Sequence, residues 1–320
     1  MSDPPGRVPS PRLLALLTEQ PYLLLPVAMV GWAATAVAGR LAVGHVSPMA
    51  IVVLRVLVVL IVLGLFARRT LSENWRQALP HWRYILAMGA CGYTLFSALF
   101  YSAAHYTSAV NMGVIQGVSP ALILAGGFIA FGSRFTAWQG AGVAVTLVGV
   151  VIVASRGSWD TIRSLSFNLG DLGILAAALF YSGYTVALRR RPALDPLVLF
   201  AGMTLASLLV ALPLPLIEAW HGSFVWPDAR GWALVLFIGL VPSFLSQVAF
   251  MRGVALIGPA RAGLFLNLMP IAAAILGVAI LGETFALYHA AGLAFVLGGI
   301  WLSERGRAAP AGPPSASAGS

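Results

Sequence analysis

Of 320 residues, 59% are hydrophobic and only 9% charged, which is more apolar surface than a soluble domain of this size could bury, so the chain belongs in a lipid bilayer. Its net charge of +9 comes from arginine without a single lysine. These arginines stand singly or in short runs between apolar segments, so they form topology signals and leave no face for nucleic acid. The one cysteine, Cys91, lies inside an apolar segment, which excludes a disulfide and a cysteine-based metal site.

Residues 1–20 read as a Pro-rich N-terminal cytoplasmic tail. No cleavable signal is expected there, because the apolar run after Arg7 and Arg12 is broken by Glu19-Gln20-Pro21. Residues 307–320 have the composition of a disordered C-terminal tail. Between the tails, apolar segments fall near 22–41, 48–67, 84–104, 108–131, 136–155, 170–188, 196–217, 231–251, 259–281 and 286–303. Each is close to the ~20 residues that a membrane-spanning helix needs. No segment alternates with period two, which excludes a barrel. The predicted fold is an all-α membrane protein of ten transmembrane helices.

Residues 106–156 and 257–306 are one element written twice. A shift of 150 positions carries Pro120 onto Pro270, Gly127 onto Gly277, Gly132 onto Gly282, Gly142 onto Gly292 and Gly149 onto Gly299. Val37, Ala38 and Arg40 echo Val186, Ala187 and Arg189 at nearly the same shift. The repeats are therefore predicted over 21–156, helices one to five, and 157–306, helices six to ten. An odd number of helices per repeat inverts the second repeat in the membrane. With the N-terminus inside, fourteen of the nineteen arginines fall on cytoplasmic segments, leaving Arg40, Arg55, Arg156, Arg163 and Arg230 outside or in the membrane. Gly132-Ser133-Arg134 then places a cation inside, and its counterpart Gly282-Glu283-Thr284 an anion outside. Two inverted halves can exchange conformations around a ligand near the midplane, which is a carrier's architecture.

Arg55, in the second segment, is the sharpest single feature. A cation in the membrane either serves a ligand or is structural, and a vestibule position fits both. Tyr93, Ser97 and Tyr101 share one face of the third segment. Trp32 in the first, Tyr181 and Tyr184 in the sixth, Gln247 in the eighth, and Asn111 and Asn267 in the fourth and ninth complete the expected substrate contacts. Such groups lack partners in lipid, so their faces point into the bundle, where helix packing competes with ligand binding as their purpose. Pro120 and Pro270, well inside their segments, predict local bends. Small residues at Ala286, Ala290, Ala294 and Gly298 suit close helix contact and leave a homodimer open.

All ten carboxylates fall at tails, loops or segment ends, so no buried acid is expected to carry a proton or bind a cation. His105 and His289 are the remaining relay candidates. No nucleophile–base set, metal-ligand spacing or phosphate loop occurs, so no catalytic residue, metal or cofactor is expected and the chain does not read as an enzyme.

Trp32 running to Gly39-Arg40, the passages YSAAHYTSAVNMGVIQGVSPALI and GDLGILAAALFYSGYTVALRR, and the spacing of Pro270, Gly282-Glu283 and Gly292 resemble the EamA-type branch of the drug/metabolite transporter superfamily over roughly residues 22–304. The first repeat departs from that pattern, with Ser133-Arg134 in place of an acidic turn. The resemblance implies a bacterial inner-membrane carrier with both termini cytoplasmic, a central cavity, and helices five and ten packed peripherally. It implies export of a small metabolite, neutral or zwitterionic, such as an amino acid. A multidrug or cation efflux carrier and a non-transporting scaffold are the alternatives.

Overall fold

The computed structural model describes residues 19–132, 136–164 and 167–305. The expectations placed on Arg7, Arg12, the Ser133-Arg134 turn and both tails lie outside the described residues. Among those described there are helices and no strands. Among the described residues nine helices have the length and apolarity to cross a membrane: α1 Pro21–Ala42, α2 Pro48–Phe66, α3 Leu79–Ala103, α4 Ala109–Phe131, α5 Ala137–Ala154, α6 Leu169–Arg190, α7 Pro196–Trp220, α8 Ala229–Ile257 and α9 Arg261–Leu281. The tenth, α10 Leu287–Arg305, is as long as α2 but carries His289 near its start and Glu304 and Arg305 at its end.

Local chemistry sets the helix ends. Pro21, Pro48 and Pro196 open their helices where a missing N–H costs nothing. Ser108, Asn168, Asp195 and Asp228 cap α4, α6, α7 and α8 through their side-chain oxygens. Thr136 and Gln139 form a reciprocal capping box on α5. Gly132 and Gly282, equivalent by the repeat, end α4 and α9 in the left-handed conformation at φ 61° and 65°, which explains why both are glycine.

Packing follows the repeat. Helix α3 lies against α6 and α7, as its counterpart α8 lies against α1 and α2; α4 packs on α6 as α9 packs on α1. The α5/α10 pair forms the most extensive contact, where backbones meet through glycine. A Cβ on Gly149 would lie 2.7 Å from the Gly292 carbonyl oxygen, and one on Gly299 2.5 Å from that of Gly142. The small residues that α10 uses are thus Gly292 and Gly299. Of the other stripe, Ala290 and Ala294 are exposed and Gly298 has no neighbour near a built Cβ.

The breaks also come in equivalent pairs. Wide π-turns interrupt α3 at Ala90–Leu95 and α8 at Val241–Leu245. Helix α4 divides into Ala109–Gln116 and Ser119–Phe131, and α9 has a 3₁₀ turn at Phe265–Asn267 before Leu268–Leu281. The bends expected at the prolines therefore lie just ahead of Pro120 and Pro270, where a proline cannot donate to the preceding turn.

Candidate functional site

The π-turns shape the centre of the bundle. Arg55 of α2 donates from one terminal nitrogen to the Tyr93 carbonyl oxygen at 3.1 Å and the Ser97 hydroxyl at 2.5 Å, both on α3, and from the other to the Ser243 hydroxyl of α8 at 3.1 Å. The α8 turn does the same for the other side, its Pro242 carbonyl accepting from the Trp32 indole N–H at 3.0 Å. Each wide turn therefore offers a backbone acceptor to a long side chain from a neighbouring helix.

Between the halves lies a cavity in which about 180 Å³ is open to the centre of a water molecule, room for a small metabolite. Trp32, Arg55, Tyr93, Ser97, Tyr101, Tyr181 and Gln247 line it. So do Gln116, Thr204 and Ser243. The walls straddle the pseudo-two-fold axis, for Tyr93 and Ser97 are the repeat equivalents of Ser243 and Gln247, and Trp32 and Arg55 those of Tyr181 and Thr204. Phe96 bridges the Phe100 and Tyr181 rings at 5.5 and 5.4 Å, which makes one wall aromatic. Arg55, expected at a vestibule, is in the cavity itself, held by the two helices that carry the π-turns.

Three expected contacts do not line it. Helix α4 presents Gly113, Gln116 and Gly117 to the cavity, and Asn111 lies about 200° around the helix from Gly113 at 100° per residue. Tyr184 stands behind the wall, its ring packed on Gly92, where a Cβ would lie 2.4 Å away, and against Tyr93 with centroids 5.7 Å apart. Asn267 sits in the 3₁₀ turn of α9, a helix that lines the cavity with Leu266, Met269, Pro270 and Ala273.

Asn111 instead belongs to a buried polar network that overturns the expectation of no buried acid. Asp171 is at the start of α6, as its sequence position implies, yet it is 2% exposed. The Ala286 N–H donates to His289 Nδ1 at 3.0 Å, so Nε2 carries the ring proton and donates to Asn111 Oδ1 at 2.9 Å. The Asn111 amide nitrogen then donates to both Asp171 oxygens at 3.3 and 3.4 Å, and the Thr107 hydroxyl donates to Oδ1. Nearby, Glu283 of the α9–α10 turn accepts from the Ala109 and Val110 N–H groups at 2.8 and 2.9 Å, which satisfies the positive start of α4. The Arg40 guanidinium donates to the Ala104 carbonyl oxygen at 2.5 Å. Burial, with Arg40 close by, holds the His105 imidazole below its usual range.

These bonds close one end of the bundle, and the other end differs. At the closed end a Cβ on Gly113 would lie 2.3 Å from the Ala273 Cβ, whereas one on the equivalent Gly263 would meet none of the described residues within 4 Å. Val114 and Val118 are fully buried, while their equivalents Leu264 and Leu268 are 46% and 39% exposed. The first half of α4 packs on the second half of α9; the reciprocal pair is splayed.

A profile of the EamA-like transporter family matches residues 20–155 and again 168–305. Among similar proteins is the uncharacterized transporter YyaM of Bacillus subtilis strain 168, 26% identical over 67% of this chain and 70% of its own. YetK of the same organism, also an uncharacterized transporter, is 25% identical over 72% of this chain and 71% of its own. An uncharacterized transporter of Archaeoglobus fulgidus is 20% identical over 90% of this chain and 98% of its own. A crystal structure at 21% identity superposes with a TM-score of 0.62, covering 89% of this chain and 98% of the other, and shares the fold.

Proposed function

Because the chain belongs to the EamA-like transporter family, we propose that this membrane transporter works as an inner-membrane secondary carrier, exporting a small neutral or zwitterionic metabolite, such as an amino acid, by alternating access. The observation that carries this reading is the unequal closure of two equivalent crossings. Gly113 is pressed on Ala273, while Gly263 has none of the described residues against it. A carrier needs two states in which the inverted halves exchange roles, and one state then has one crossing shut and its equivalent open.

The arginine distribution supports cytoplasmic termini, which makes the Glu283 end periplasmic and the splayed end cytoplasmic. In this reading the substrate enters from the cytoplasm into the cavity lined by Trp32, Tyr93, Ser97, Tyr101, Tyr181 and Gln247, with Arg55 beside it, and the repeats 21–156 and 157–306 rock about it. Asn111, Tyr184 and Asn267 act indirectly, through the closing network, the wall and the hinge of α9. A cation carrier is disfavoured by Arg55, whose charge repels such a substrate.

The test is efflux from preloaded cells expressing the protein, screened with amino acids, purines and dipeptides. Thiol labelling of intact cells fixes the orientation. In a Cys91→Ala background, cysteines at Arg76 and Arg190 should be protected from an impermeant reagent and one at Gly222 modified. Modification of position 76 from outside would refute the assigned topology.

A further inference from the structure

We propose that Arg55 is the charge-reading residue of the cavity and that the substrate class is a small organic monocarboxylate with an aromatic or apolar body; this rests on the cavity being the substrate site and narrows the metabolite proposed above to one recognised by its single carboxylate, with or without an amino group. Arg55 is held entirely by neutral groups, the Ser97 and Ser243 hydroxyls and the Tyr93 carbonyl. Its Nε is buried without a partner among the described residues. Among the described residues no Asp or Glu lines the cavity, so no carboxylate of the chain neutralises the guanidinium, an arrangement that is costly unless an anion offsets it.

The fold does not require that charge. Thr204, the repeat equivalent of Arg55, lines the same cavity from α7 as a neutral side chain. The charge belongs to the asymmetric ligand and not to the symmetric scaffold.

The neighbours suit an anion. Ser97 and Ser243 accept from Arg55, so each hydroxyl keeps its own hydrogen to donate. A guanidinium flanked by two hydroxyl donors matches a planar carboxylate. One positive charge balances one negative charge, which favours a monoanion over a phosphate dianion. Phe96, Tyr101, Tyr181 and Trp32 supply flat apolar walls for the rest of the molecule. An α-ammonium finds no carboxylate there and is repelled by Arg55. An acid without an amino group therefore binds at least as well as the amino acid of the same skeleton, and the matching amine is excluded.

Three probes share one ring and chain and differ only in charge: 3-phenylpropionate, phenylalanine and 2-phenylethylamine. Their binding to the purified full chain is measured by calorimetry, with the melting temperature of every variant recorded. The expected order is acid equal to or tighter than amino acid, with no binding by the amine. Arg55→Gln should weaken the acid at least about 10-fold, the scale of a lost hydrogen bond to a charged group. Arg55→Lys, which keeps the charge and loses the fork, should retain the preference for acid over amine at reduced affinity, and it decides the matter if the Gln variant does not fold. Equal binding of acid and amine, or no binding of the acid at millimolar concentration, overturns the proposal. Acid affinity that falls in Trp32→Ala and Tyr101→Ala but not in Arg55→Gln removes the charge assignment and leaves the cavity standing. Affinity indifferent to all these substitutions sinks both.

Discussion

Glu283 Oε2 accepts the Val110 backbone N–H at 2.9 Å, a bond that ties the turn after α9 in the second repeat to the first turn of α4 in the first. Its other oxygen takes the Ala109 N–H, so one carboxylate closes two of the four N–H groups that a helix start leaves open. The equivalent turn in the first repeat has Ser133 in that place. The sequence thus carries an anionic clasp for one end of the bundle only.

Removing the clasp should open that end. Glu283→Ala deletes two charge-assisted hydrogen bonds, each worth about 1.5–3 kcal/mol, some of which water recovers. A shift of roughly 10-fold or more toward the open state is expected. A cysteine at Ala109, fully buried here, reports it in the Cys91→Ala background. Its modification by an impermeant thiol reagent should accelerate by that factor in the Glu283→Ala protein, and an unchanged rate would show that the clasp does not hold the gate.

Asp171 calls for a different test, because its partners are neutral. Asp171→Asn puts an amide where two acceptors stood, and one of its N–H groups must then face the Thr107 hydroxyl or the Asn111 amide, both donors in the present network. A mismatched buried polar group costs about 1–3 kcal/mol. The melting temperature of the purified protein should fall, and Asp171→Asn combined with Asn111→Asp, which exchanges the two groups, should recover part of the loss. A double variant no more stable than the single one would place the stabilising role of Asp171 elsewhere.

Much of this architecture was legible in the sequence, because apolar length fixes the spans and the 150-residue shift fixes the repeat. Glycine reads well for the same reason: Gly142, Gly149, Gly292 and Gly299 are where two backbones meet, and no other residue fits. The cavity was legible in outline, since Tyr93, Ser97 and Tyr101 share a helical face that does turn inward. Asn111 and Asp171 were not. A polar residue near a helix start reads as a cap or a loop neighbour, and only the packing of α4, α6 and α10 shows that the two amino acids, 60 positions apart, meet away from water. Thr204 was missed because it is unremarkable alone; the repeat shift from Arg55 was the signal that could have found it.

A pH response belongs to the loop side of the bundle. Asp228 is exposed and caps α8 through the Gly231 N–H at 2.7 Å, while its other oxygen meets His45 Nδ1 at 2.7 Å. The hydrogen bond from His45, then that from Gly231, holds its carboxyl below the usual range. A carboxylate with a depressed folded value contributes stability above its unfolded value, near pH 4, and loses it as pH falls through the folded value. Asp228→Asn keeps a capping oxygen but not the charge. It should melt below the parent protein at pH 7, with the gap closing as pH falls below about 4. A gap as wide at pH 3 as at pH 7 would mean that the charge of Asp228 contributes nothing.

The two crossings of α4 with α9 make the sharpest prediction, since they are equivalent in sequence and opposite in state. At Gly113 any added Cβ would meet the Ala273 Cβ at 2.3 Å; at Gly263 it would meet none of the described residues within 4 Å. Gly113→Val therefore overpacks the state seen here, at a cost of about 1–3 kcal/mol, and favours the state in which that crossing opens. Gly263→Val leaves the present state unstrained and penalises the exchanged one by a similar amount. The two substitutions should push the equilibrium in opposite directions by roughly 5-fold to 150-fold each. In reconstituted vesicles, the cysteine at Ala109 should become more reactive from outside in Gly113→Val and less reactive in Gly263→Val, and the double variant should return toward the parent rate. If both single variants move the reactivity the same way, the halves do not exchange conformations, and the rocking of the repeats around the cavity is wrong.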